Sequence, residues 1–168
     1  MTWTLTDGEL GTMTKDVAYE YAWKAFNEMI HDPKEKLDEI AIMSTLCSLL
    51  HTLHSHMFWV GFYRVTQPGL LVIGPYQGTP GCLTIAFTRG VCGQAAREKR
   101  IIVVPDTRLH PDHIACDARS RSEIVLPVFN PKGDLIAVLD VDSTEPDAFD
   151  ETDRKWLSKL LGAIQHHL

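Results

Sequence analysis

No basic stripe runs through this chain: 16 Lys and Arg stand against 22 Asp and Glu, a formal net charge of −6. Neutralising a phosphate backbone needs clustered cations, so nucleic acid is not an expected partner. Long apolar runs are also missing, and the longest present are too short to span a bilayer, so no membrane contact is expected. The amino end, MTWTLTDGE, lacks the basic, then apolar, then small-residue order of a secretory signal, and nothing in it suggests a transit peptide. The expected location is cytoplasmic. Repeats, low-complexity segments and Gly/Ser/Pro-rich linkers are absent, and 168 residues suit one domain able to bury roughly two thirds of its unfolded surface.

The four cysteines form no C-x-x-C pair, and no H-x-x-x-H follows them, so no metal ion is expected. The histidines at 51, 54 and 56, and His110 and His113 near Cys116, are therefore read as non-ligating, and His166 and His167 as a solvated tail. In a reducing cytosol, irregularly spaced cysteines point to transient catalytic thiols or inert buried ones rather than structural bridges.

Read in order, Thr14 or Asp16 caps a first helix to about Met29, and Asp32-Pro33 starts a second. In that second helix Leu37, Ile40, Ala41, Cys47 and Leu50 recur at helical spacing, which makes Cys47 a core residue. A strand over 57–65 places Phe58, Val60 and Phe62 on one face and Trp59, Gly61 and Tyr63 on the other. Gly61 then leaves a hollow between two aromatics that suits a small apolar guest. Strands at 70–73 and 82–87, a short helix over 91–98 and a strand at 101–104 follow. The next stretch, from Pro105 to Ser122, is long for a loop inside a compact domain and reads as a lid or binding loop.

Strands at 123–129 and 135–142 form a hairpin. Alternation sets Leu135, Ala137, Leu139 and Val141 on one face and Ile136, Val138, Asp140 and Asp142 on the other. A last helix from about Asp150 buries Trp156, Leu157, Leu160, Leu161 and Ile164. The pattern is α+β: a mostly antiparallel sheet, helices packed on one face, and a long loop closing a pocket on the other.

Glu123 falls on the same side as Asp140 and Asp142. Carboxylates crowded in a cleft repel one another, so one of them is expected to keep a proton near neutral pH. Two thiols compete as nucleophile: Cys92 at a helix start, where unpaired N–H groups favour thiolate, and Cys116, with His113, Arg119 and Arg121 close in sequence. The residues alone do not choose between them.

Six motifs in order, WVGFY (59–63), GPYQG (74–78), GVCG (90–93), HIACD (113–117), SEIV (122–125) and VLDVDS (138–143), make the chain resemble the free methionine-(R)-sulfoxide reductases, enzymes built on one GAF domain. The resemblance implies thiol-dependent reduction of free L-methionine (R)-sulfoxide, with Cys116 as nucleophile, Cys82 as resolving thiol and Cys92 as an auxiliary one. It also implies a substrate pocket of Trp59, Tyr63, Glu123, Asp140 and Asp142, and a carboxylic acid among the last three as proton donor. A Cys82–Cys116 disulfide recycled by a thioredoxin-like reductant, a homodimer, a role in oxidative stress and no cofactor complete the expectation. Relatives tend to carry Ala before the first motif cysteine and Arg two residues after it, where this chain has Gly81 and Thr84. The alternative reading is a GAF module that only senses a small molecule.

Overall fold

The computed structural model describes residues 5–10, 12–30, 37–111, 116–165 and 167. After a short turn of helix, α1 (Asp7–Leu10), come α2 (Lys15–Ile30) and α3 (Glu39–Leu53), six strands with α4 (Gly90–Glu98) among them, and a closing α5 (Glu151–Gln165). The strands are β1 (Met57–Gln67), β2 (Leu70–Gln77), β3 (Thr84–Ala86), β4 (Ile102–Val104), β5 (Ser122–Phe129) and β6 (Leu135–Ser143). They form one sheet in the order β3-β2-β1-β6-β5-β4, antiparallel throughout.

Each long helix turns an apolar stripe to the same face of this sheet. Tyr19, Ala22 and Phe26 of α2, Leu46, Cys47 and Leu50 of α3, and Leu157, Leu160 and Ile164 of α5 meet Val60, Phe62, Leu126, Leu139 and Val141. The buried carboxylate of Asp153 joins α2 to α5: it accepts from Lys15 Nζ at 2.7 Å, Tyr19 Oη at 2.8 Å and the Asp150 backbone N–H at 2.8 Å. Cys47 lies in this core as expected, and burial pushes its thiol far above the ordinary value.

The second helix differs from its expected start. Asp32 and Pro33 lie outside the described residues, and Leu37 precedes the helix rather than belonging to it. Asp38 is the cap, its carboxylate accepting from Ile40 N at 2.8 Å and Ala41 N at 3.3 Å.

The opposite face carries a smaller cluster: Trp59, Tyr63, Leu71, Ile85, Val125 and Val138 under the apolar side of α4, through Val91, Cys92, Ala95 and Ala96. The short helix thus shares the pocket side with the long loop, while the three long helices take the other side. Strict alternation fails at two irregularities in register. One between Met57 and Trp59 turns Phe58 toward the smaller cluster, and one between Val128 and Phe129 puts Leu135 there and Ile136 against the main core. Cys82 is also not in a strand, since β3 begins only at Thr84.

Candidate active site

Five expected pocket residues converge at the centre of the sheet because the register of its middle strands forces them to. Asp142 pairs with Trp59 on one side and Glu123 on the other, and Asp140 lies between Gly61 and Val125. With a two-residue side-chain period, Trp59, Tyr63, Glu123, Asp140 and Asp142 all project to the α4 side. There they line one cavity together with Phe58, Gly81, Cys92 and Cys116.

Trp59 and Tyr63 form its wall. The indole stacks on Tyr63 (centroids 5.8 Å apart) and on Tyr76 (5.5 Å), and its Nε1 donates to the Thr79 carbonyl at 2.8 Å. The expected hollow at Gly61 is occupied by the protein itself, because the Trp59 ring folds back over Gly61 and a Cβ there would overlap both that ring and Tyr76 Cβ. Gly61→Ala is therefore expected to lose about 1–3 kcal/mol of stability by forcing the indole off its seat, readable as a lowered denaturant midpoint at unchanged slope.

Glu123 and Asp140 are buried and Asp142 is half-buried, and no Lys or Arg among the described residues lines the cavity. Burial raises all three above the ordinary carboxylate range. Glu123 is pushed well up by burial and then by the charges of Asp140 and Asp142, and Asp142 by burial and then by Asp140. Asp140 rises only to about 6, because hydrogen bonds from Cys92 and Glu123 favour its charged form. Asp140 is thus the hydrogen-bond acceptor of the group, and Glu123 and Asp142 are both pushed well above the ordinary range. Asp140 Oδ1 is buried with no hydrogen-bond partner among the described residues, and Asp142 Oδ1 accepts a short hydrogen bond from the Ser120 hydroxyl.

Cys92 begins α4 as the sequence indicated, but the helix terminus does not activate it. It is buried, with carboxylates for neighbours, so its thiol is pushed well above the ordinary value by burial and then by Asp140 and Glu123. It donates to Asp140 as a neutral thiol. Cys92, Glu123 and Asp140 are also the one grouping among the described residues able to hold a metal ion, their ligand atoms lying within 4.8 Å of one another; no described histidine enters it.

Cys116 is bonded to Cys82, with Cα atoms 5.5 Å apart, and it reaches the cavity although its residue is otherwise exposed. Of the cations expected to activate it, His113 lies outside the described residues. Arg119 is taken up by Asp117 (Nη2–Oδ2 2.7 Å), and Arg121 lies 3.9 Å from Asp106. With the disulfide closed the cavity is about 40 Å³, space for a water molecule and not for an amino acid.

Sequence reasoning missed Ser120 and Cys92's bond to Asp140. Ser120 precedes β5 by too little for strand periodicity to place it, and the α4–β6 contact joins residues far apart in the chain.

The GAF domain family matches residues 36–168. The free methionine-R-sulfoxide reductase of Escherichia coli is 37% identical over 126 residues, 75% of this chain and 75% of that protein. The crystal structure of free methionine-R-sulfoxide reductase from Neisseria meningitidis in complex with its substrate is 39% identical, with a TM-score of 0.85 over 93% of this chain and 91% of that one. A putative GAF sensor protein from Burkholderia vietnamiensis superposes similarly, at 36% identity and a TM-score of 0.83 over 92% and 96%. The chain belongs to the GAF domain family and, within it, to the free methionine-R-sulfoxide reductases.

Proposed function

We propose that this protein reduces free L-methionine (R)-sulfoxide to methionine through a sulfenic acid on Cys116, resolved by Cys82 and recycled by a thioredoxin-like dithiol. The observation that carries the reading is that Cys116 meets three proton-raised carboxylates in a cavity walled by Trp59 and Tyr63.

A sulfoxide sulfur yields to a thiolate only as its oxygen takes up a proton. Glu123, whose carboxyl is pushed well up by burial and by the charges of Asp140 and Asp142, is the proposed donor, and Asp140 and Asp142 complete the acid set. Attack by the Cys116 thiolate at the substrate sulfur forms an S–S bond as the protonated S–O bond breaks and water leaves. A water molecule then attacks the Cys116 sulfur, breaking that S–S bond, so that methionine departs with its electron pair and Cys116 is left as a sulfenic acid. Cys82 then displaces the hydroxyl as water, and the Cys82–Cys116 disulfide forms. An external dithiol reopens it by exchange.

Trp59 and Tyr63 wall in the S-methyl group, and the carboxylates, with the unpartnered Asp140 oxygen among them, balance the substrate's ammonium. A cavity closed around both ends of an amino acid has no exit for a polypeptide, which restricts the reaction to the free amino acid. The setting that fits this chemistry is a cytoplasmic homodimer of single GAF domains, active under oxidative stress.

Incubation with dithiothreitol and each epimer separately tests the reading: methionine forms from the R epimer, and if neither epimer turns over, the sensor reading replaces it. In Cys82→Ser, one methionine per chain is expected in a single round, while thioredoxin-driven turnover is lost. Sustained thioredoxin-driven turnover in that variant counts against Cys82 as resolver.

A further inference from the structure

The two bonded cysteines sit on loops that no strand pairing holds together. Cys82 lies between β2 and β3 and Cys116 between β4 and β5, and these pairs occupy opposite edges of the sheet. Beside the disulfide, a second link joins the same loops. The Thr79 hydroxyl donates to Asp117 Oδ2 at 2.7 Å. Asp117, next to Cys116, is fixed in turn by Arg119, whose Nη2 donates to Oδ2 at 2.7 Å and whose backbone N–H donates to Oδ1 at 2.9 Å. The Arg119 guanidinium packs 5.2 Å from the centroid of the Phe58 ring, on the cavity wall. Thr79 is anchored at its other end, where its carbonyl accepts from Trp59 Nε1. A continuous run of bonds thus passes from the indole of β1 through Thr79 to the Cys116 loop without using either sulfur.

We propose that Thr79 and Asp117 are a positioning pair that keeps the Cys82 loop against the Cys116 loop while the disulfide is open. The sulfenic acid on which it acts belongs to the function proposed above; the pairing of the loops does not depend on it. In the resolving step the Cys82 sulfur gives up its proton and bonds to the Cys116 sulfur as the S–O bond breaks. The departing hydroxyl leaves with that proton as water, so no further oxidant or reductant enters. The rate of that step and the stability of its product both scale with the effective concentration of one thiol at the other. A charge-assisted hydrogen bond between the loops raises that concentration at a small cost, because Arg119 already holds the acceptor in place.

The test needs no sulfoxide. Protein is equilibrated with mixtures of reduced and oxidised dithiothreitol, and the Cys82–Cys116 disulfide is counted by alkylation and mass. Thr79→Val, of the same shape without the hydroxyl, is expected to lower the equilibrium constant for disulfide formation by about tenfold. Thr79→Ser restores it, and Asp117→Asn lowers it in the same direction. In turnover, Thr79→Val slows disulfide formation and leaves KM for the sulfoxide unchanged, since the Trp59 bond is to main chain. A wild-type equilibrium constant in Thr79→Val, or failure of Thr79→Ser to restore it, overturns the proposal. Failure of the functional reading is read separately, as absence of methionine from the wild-type protein.

Discussion

Replacing the Cys116 sulfur by oxygen is expected to abolish turnover, by more than about 10⁴-fold, while substrate binding persists. Cys47 is sealed in the main core and Cys92 is a buried neutral thiol held by Asp140, so neither supplies a thiolate at neutral pH. Cys116 combines an exposed approach with a place in the cavity wall. The proposed substrate walls, Trp59 and Tyr63, belong to β1 and pack in the cluster beneath α4. Cys116→Ser should therefore still quench Trp fluorescence on addition of the R epimer, with no methionine formed. A variant retaining measurable turnover would transfer the nucleophile's role to Cys92.

The second large effect is expected at Glu123. Glu123→Gln keeps a donor toward Asp140 but has no proton to give, so kcat should fall by about 10²–10⁴-fold with a smaller change in KM. Its pH profile is equally diagnostic. On the proposed mechanism the native protein needs Glu123 protonated, so activity should fall as pH rises through its elevated pKa, while the need for a Cys116 thiolate should make activity rise from the acid side. Glu123→Gln should lose the alkaline fall and keep the acid rise.

The same substitution should raise stability where it lowers activity. A carboxyl whose folded pKa lies well above its ordinary 4.5 favours the folded chain at low pH, and that advantage is lost as pH rises from the ordinary value through the folded one. Glu123→Gln removes this loss, so its melting temperature should exceed the native value at alkaline pH and approach it near pH 4. A melting difference independent of pH would mean that Glu123 is not held protonated. Activity and stability thus pull against each other at this position, as expected where a site crowds like charges.

Much of this site could be read from strand periodicity. Trp59, Tyr63, Glu123, Asp140 and Asp142 share one face because pairing around β1, β6 and β5 keeps its register across them, and periodicity of two carries that information directly. The same reasoning misplaced Phe58 and Leu135, where register irregularities reverse the alternation, and these depend on neighbouring strands. The hollow assigned to Gly61 failed for a related reason: missing side-chain volume was filled by a tryptophan from the same strand. Cys92 shows the limit of a local electrostatic argument. Its helix terminus is real, but burial, and then Asp140 and Glu123, distant in sequence, push the thiol up instead. The Thr79–Asp117 bond has no sequence signal either, since it joins two loops from opposite edges of the sheet.

The central claim is that Cys116 takes the oxygen and Cys82 resolves it. Fully reduced protein mixed with one equivalent of the R epimer, without reductant, then quenched by alkylation and mapped by peptide mass, tests it directly. The account predicts one methionine per chain and a single new linkage between the peptides of Cys82 and Cys116, with Cys47 and Cys92 alkylated. Methionine released with Cys92 in the linkage, or Cys116 left alkylated after turnover, would contradict it.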